Sequence, residues 1–332
     1  MEEVEVRRLF QRHYEGDVER VVEMDDTSGT MGKQYLVEGG GRGWLLSIAD
    51  DLYPRVKTEN HVACLRFVKE RTGIPVPKVA FWGVEEGREY ICTERMSGEA
   101  LSQIWEQLDE EQVEAVIEQV AGVYKELSAL KGNSPTGLRI EGCEVVPGPR
   151  LSYSVYSNRH IARHWSEYPE ESFHTLNVCE VLDDEVQFIL AGLKRDVHVI
   201  ETHRACMGLR EGFLSRLVQL VEHMEVNQLA IECRPLHFAH RDLHLGNMLF
   251  DKETNQITAV LDWELAGFFS DDDWEPGNTL APVRDPTGVG ERLLPQWRND
   301  CLKKLSPCLH PILTSRDSGR SKASPFGSHS QR

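Results

Sequence analysis

Apolar and polar residues alternate through residues 18–48, and the alternation predicts a β-meander. VERVVEM is one strand, DDTSGTMGK a polar turn, and QYLVEG and WLLSIA are two further strands joined across GGGRG. From Thr58 the period changes. In TENHVACLRFVKERTG, Val62, Leu65 and Val68 keep helical spacing, Thr58 supplies an N-cap and Gly73 a stop. IPVPKVAFWGVE is extended by its prolines before it becomes a strand, and REYICTERM is another strand after a turn at Glu86-Gly87. The exit from that strand, Glu94 to Gly98, is a candidate hinge between two lobes. Asp109 and Gln112 then make a capping box ahead of a stripe formed by Val113, Val116, Ile117, Val120, Tyr124 and Leu127, which predicts a long core helix. Residues 131–158 are rich in Gly, Pro and Ser and read as loop with short extended pieces. Two or three helices are expected between about 159 and 230, in SNRHIARHWSEY, DDEVQFILAGLKRDVHVIE and REGFLSRLVQLVEHM. A small hairpin, NMLFD-KETNQ-ITAVLD, lies beyond them, and residues 314–332 carry so few apolar side chains that disorder is expected.

The order is a β-rich first part with one helix, then a mainly helical part, so the expected class is α+β. With 332 residues the chain is long enough for two lobes, each with a core, and the boundaries expected are 1–97, 98–313 and a tail at 314–332. A formal net charge of −17 argues against a nucleic-acid partner, which calls for a basic face. The acidic balance suits a cationic small molecule, although solubility alone is the commoner reason for it. No apolar run approaches the roughly 20 residues that span a bilayer. MEEVEVRRLF has acidic residues where a signal peptide is basic. The eight cysteines contain no C-x-x-C pair, which fits reduced thiols. A soluble cytoplasmic protein without a membrane partner is expected.

The chemistry concentrates between His240 and Glu264, HRDLHLGNMLFDKETNQITAVLDWE. Asn247 opens one strand of the predicted hairpin and Asp262 closes the other, so antiparallel pairing brings an amide oxygen and a carboxylate together. Magnesium accepts oxygen ligands and keeps waters, so two such side chains and the phosphates of a nucleotide suffice to hold it. Asp242, in the loop before the hairpin, is placed to accept or orient the proton of an acceptor hydroxyl. His240 reads as an organiser of that loop, and His244 as a hydrogen-bond partner of the Asp262 region or of the loop backbone. Small residues at Ser28, Gly29, Thr30 and Gly32 let the first hairpin turn lie over phosphates, although a plain turn is the simpler reading. A different chemistry stays open: His240, Asp242 and His244 form H-x-D-x-H, a pattern able to ligate zinc in a hydrolase.

HRDLHLGN followed by VLDWE resembles the aminoglycoside phosphotransferase family, which includes choline kinases and belongs to the protein-kinase-like fold. KTENHVACLRFVKERTGIPVPKV and EYICTERMSGEALSQIW are similar to its fungal members, and the resemblance covers roughly residues 20–270. It implies a two-lobed kinase-like fold with ATP in the cleft. It implies Asp242 as the catalytic base, Asn247 and Asp262 as magnesium ligands, and the backbone from Glu94 to Met96 as the adenine-binding hinge. The function implied is ATP- and magnesium-dependent phosphoryl transfer to a hydroxyl of a small, cation-compatible acceptor. Protein kinases share His-Arg-Asp-Leu and the Asn five residues after the Asp, but here His244 stands where they carry Lys and Trp263-Glu264 where they carry Phe-Gly. One departure concerns the family itself. Its members place a Lys or Arg in the strand before the first helix, paired with a Glu of that helix, and this chain has Ser47 at that place with Glu59 as the helix carboxylate. Lys57 and Arg55 are the nearby cations that could substitute. The departure makes a nucleotide-binding protein without turnover the principal alternative.

Overall fold

The structure is a computed structural model that describes residues 3–14, 17–24, 33–49, 56–85, 87–153, 176–179, 182, 185–202, 207–227 and 236–270. It opens on a helix absent from the expectations above, α1 (Glu3–His13), whose Val6, Leu9 and Phe10 are buried. Three apolar positions within eleven residues are a weak periodic signal; the helix is held by the sheet it covers. That sheet contains the predicted meander, β1 (Arg20–Glu23), β2 (Lys33–Gly39) and β3 (Arg42–Ile48). Gly40 and Gly41 take φ of 61° and 71° in the tight β2–β3 turn, the left-handed pair that glycine adopts without a Cβ clash. Alternation sets the two faces of β3. Trp44, Leu46 and Ile48 pack with α1, and Leu45, Ser47 and Ala49 face the opposite way, into a cleft.

The first long helix, α2 (Val56–Arg71), begins two residues before Thr58, so Thr58 lies within the first turn and does not cap it. The sheet is completed by β4 (Val79–Glu85) and β5 (Arg88–Glu94), in the antiparallel order β1-β2-β3-β5-β4. Beyond Glu94 the chain leaves the sheet and β6 (Glu99–Ala100) pairs with a strand of the later hairpin. Gly98 makes this crossing possible. Its φ is 100°, and an added Cβ would stand 2.7 Å from Thr258 Oγ1 and 3.0 Å from the Phe250 carbonyl.

After a short turn, α3 (Leu101–Ile104), comes the predicted core helix α4 (Glu110–Ala129). Its capping box is present: Gln112 N donates to Asp109 Oδ1 at 2.8 Å and Asp109 N donates to Gln112 Oε1 at 3.2 Å. The short extended pieces expected in the next stretch are paired strands: β7 (Lys131–Gly132), β8 (Gly137–Glu141), β9 (Glu144–Gly148) and β10 (Arg150–Tyr153). β8 and β9 pair around Gly142-Cys143, so backbone pairing organises a stretch whose composition favours turns. β11 (Leu176–Cys179) pairs with β10, and the helical segment holds α5 (Glu185–Thr202) and α6 (Ser215–Asn227). Finally β12 (Leu236–Ala239), β13 (Met248–Asp251), β14 (Gln256–Val260) and β15 (Gly267–Ser270) frame the motif region. β13 lies between β6 and β14, and β12 between β7 and β15.

SNRHIARHWSEY and the tail at 314–332 lie outside the described residues, as does the turn carrying Ser28 and Gly29. One hydrophobic core links the parts: Val62, Leu65 and Val68 of α2 are buried with Val120 and Tyr124 of α4, and with Phe250 and Trp263. Among the described residues no helix is long and apolar enough to cross a membrane.

Candidate functional site

The loop from His240 to Asn247 joins β12 to β13 and is built around a buried imidazole. His240 is 2% exposed, lies 4.4 Å from the Trp263 ring, donates from Nε2 to the Leu261 carbonyl at 2.8 Å and accepts the Asp242 N–H on Nδ1 at 3.2 Å. Burial pushes its pKa down to about 4, so the ring is neutral and both nitrogens are committed to shaping the loop. His244 performs a related task one turn later, with Nδ1 accepting the Gly246 N–H at 2.9 Å at the start of the Leu245–Asn247 turn. Arg241 and Asp262 both have left-handed backbones, with φ of 71° and 63°. Such geometry costs a non-glycine residue about 1–2 kcal/mol, and here it aims the side chains on either side of the loop.

Asn247 ends that turn one residue before β13, and Asp262 lies two residues beyond β14. The hairpin pairing Met248↔Val260 continues into Leu261 N donating to the Asn247 carbonyl at 2.8 Å, so the two site residues leave neighbouring strand ends. Asn247 Nδ2 donates to the Asp242 carbonyl at 2.9 Å and stands 3.4 Å from Asp242 Oδ2. Its amide hydrogens therefore point at the loop, leaving Oδ1 as the side-chain donor atom for a cation. Asp262 is the electrostatic centre of the region. Its carboxylate acts on Asp242, His61, His240, His244 and Glu264. Burial, followed by Asp262, pushes Asp242 up to about 7, while the Asn247 amide opposes the rise.

Asn247 and Asp262 open onto a cleft of ≈ 350 Å³ between this loop, the inner faces of β3 and β5, and α2. That volume lies within the roughly 300–1,000 Å³ typical of small-molecule sites. The α2 wall is a stripe of Lys57, His61 and Leu65 at intervals of four. Lys57 Nζ meets Glu264 Oε2 at 2.9 Å, both side chains being under a tenth exposed. Asn60, on the buried side of α2, donates to the Glu264 and Ala266 carbonyls at 2.8 and 3.0 Å and accepts the Leu138 N–H at 2.6 Å. The helix and the segment after Asp262 are thereby joined. Beside Asp262 and Glu264, Lys57 is the cation among the described lining residues, and burial keeps His61 neutral down to about 4. The Asp262 carboxylate and the Asn247 amide oxygen are the oxygen ligands that fit a hard divalent cation here.

The model of the phosphotransferase enzyme family abbreviated APH matches residues 26–268. The chain belongs to that family. Its α+β architecture, a β-rich lobe followed by a mainly helical one, is the kinase-like arrangement expected from the motifs. Among solved structures, an aminoglycoside-3'-phosphotransferase of type VIII is similar at 21% identity, with 91% of this chain and 90% of that one covered and a TM-score of 0.48. A putative fructosamine-3-kinase from Haemophilus somnus 129PT is similar at 12% identity over 96% and 92%, with a TM-score of 0.49. The aminoglycoside phosphotransferase APH(3'')-Id of Streptomyces rimosus, in complex with ADP and streptomycin, is similar at 16% identity over 92% of each chain, with a TM-score of 0.46. Comparison with curated protein sequences gives no significant match.

The structure places Asn247 and Asp262 at one end of the cleft, with Asp242 behind Asn247 in the loop. Both His240 nitrogens and His244 Nδ1 bond backbone groups, and His244 Nε2 lies 3.7 Å from Asp242 Oδ2. The H-x-D-x-H zinc pattern is not assembled, because both His240 nitrogens are spent; among the described residues no group of three His, Cys, Asp or Glu side chains converges on a metal position. Glu59 is also elsewhere: its carboxylate accepts the Ile140 N–H at 3.3 Å, on the β8 side of α2. Glu94 is exposed and Met96 half-buried, just past Thr93, where the β5 side of the cleft wall ends. Two N–H groups of that hinge are already engaged, Glu94 with the Lys78 carbonyl and Arg95 with that of Gly43. Ser28, Gly29 and Arg55 lie outside the described residues. Sequence reasoning missed Asn60, His61 and Glu264. The i, i+4, i+8 stripe was visible, but a helix start placed at Thr58 put Lys57 in a loop.

Proposed function

We propose that this chain is an ATP- and magnesium-dependent phosphotransferase acting on a hydroxyl group of a small molecule. The observation that carries the reading is that Asn247 and Asp262 line one cleft while the Asn247 amide is bonded to a half-buried Asp242 whose carboxyl feels Asp262. Asn247, through Oδ1, and Asp262 would hold magnesium, which when bound neutralises phosphate charge. Asp242 orients the acceptor hydroxyl and takes its proton as the oxygen bonds to the γ-phosphorus and the bond to the bridging oxygen breaks, releasing ADP. His240 and His244 keep Asp242 and Asn247 in register by fixing the loop backbone. At the hinge, the Met96 N–H is the donor left to a purine, since those of Glu94 and Arg95 are engaged in the sheet. A small-molecule acceptor is favoured over a macromolecule because the cleft, at ≈ 350 Å³, has the size of a small-molecule site. The acidic composition is compatible with amino groups on that acceptor.

The test is nucleotide binding with and without magnesium, followed by ADP release across a panel of amino-hydroxy compounds. The reading expects magnesium-dependent binding and turnover on at least one compound, and D242A to lower turnover by about 10²–10⁴-fold while binding persists. Binding without turnover on any acceptor would favour the non-catalytic alternative raised by Ser47.

A further inference from the structure

We infer that Lys57 is the phosphate-clamping cation of this site, carried on the first turn of α2 in place of the strand cation and held by Glu264. The inference rests on the nucleotide reading above. Ser47 marks the position left without charge: on β3 it shares the cleft-facing side with Leu45 and Ala49, so a Lys there would point into the cavity. Across that cavity Lys57 supplies an ammonium group from α2, on the same helical stripe as His61.

The pair that holds a cation in place is also rebuilt. Glu59, the helix carboxylate expected to partner a strand cation, is bonded to the Ile140 N–H. Glu264 takes over at 2.9 Å from Lys57, two residues beyond Asp262. Asn60 bonds the Glu264 and Ala266 carbonyls, so the root of Lys57 and its counter-charge belong to one hydrogen-bonded unit. A buried ion pair is a poor stabilising device, since apolar side chains of the same volume usually do as well or better. A buried ammonium beside the proposed magnesium ligands has a use that such a pair lacks: it can meet phosphate oxygens as a point charge. His61 does not duplicate it, because burial keeps that imidazole uncharged.

The experiment measures ATP and adenosine affinity by calorimetry on the full chain with magnesium, for wild type, K57M/E264Q and S47K/K57M/E264Q. The double variant removes both charges together, so no lone carboxylate is left buried, and thermal unfolding checks that each variant folds. Loss of the clamp should weaken ATP on the order of 10- to 100-fold and leave adenosine within about twofold. S47K should recover at least about tenfold of the loss, since it returns a cation to the cleft from the strand. Equal loss for ATP and adenosine, or ATP affinity unchanged in the double variant, overturns the inference while leaving the nucleotide reading intact. A rescue variant no better than the double variant also overturns it. Wild type that binds neither ligand overturns the nucleotide reading itself.

Discussion

Asp242 has an ordinary carboxyl pKa of 3.8 and is pushed to about 7 in the folded chain by burial and by Asp262. It therefore binds its proton more tightly folded than unfolded. Its stabilising contribution is complete below the unfolded value and is lost as pH rises through about 7. In chelator, the melting temperature of wild type should fall relative to D242N between about pH 4 and pH 7 and run parallel to it above that; parallel curves throughout would remove Asp242 from the partly buried, Asp262-facing position described here. The same ionisation should govern turnover, which is expected to rise with pH toward a plateau above about 7. His240 carries a structural burden beside this chemistry. H240A leaves the Leu261 carbonyl and the Asp242 N–H without their partner and should cost about 2–4 kcal/mol in urea unfolding. A loss below about 0.5 kcal/mol would mean that the imidazole does not organise the loop.

At the scale of elements, α2 determines where the cleft can have a cation. Asn60 is 0% exposed and gives its side chain to three backbone groups from two distant segments. N60A should lower stability by about 2–4 kcal/mol and weaken nucleotide binding, whereas D109A, at an exposed cap of α4, should cost about 1 kcal/mol and leave binding unchanged. Equal effects on binding would separate α2 from the site. These two residues also show what could be read from sequence. The capping box of α4 is local, two residues three apart satisfying one another, and it was legible. The β13–β14 hairpin was legible for the same reason, and with it the juxtaposition of Asn247 and Asp262. The partners of Asn60 and Lys57 lie in segments far along the chain, and no local pattern points to them. The start of α2 was misplaced because Thr58 is a good cap by type, although tertiary packing buries it in the first turn. β8 and β9 were legible only as short extended pieces, because Gly, Pro and Ser are frequent in the stretch around them, while pairing between the strands decides their state.

For the whole molecule, a five-stranded sheet and α2 form one wall of the cleft and the β12–β14 region the other, with Gly98 at the crossing. The α+β class, the two-part order and the family were legible because the motif region is both short and specific. Whether the strand cation is missing or moved was not legible, because Ser47 and Lys57 meet only across the folded cleft. The central claim is phosphoryl transfer to a small-molecule hydroxyl, and mass spectrometry of the amino-hydroxy panel after incubation with ATP and magnesium tests it most directly. The account predicts that wild type converts at least one compound to a product heavier by one phosphoryl group, and that D242A does not. A panel left unmodified by wild type that binds ATP and magnesium, or the same product formed at the same rate by D242A, would contradict it.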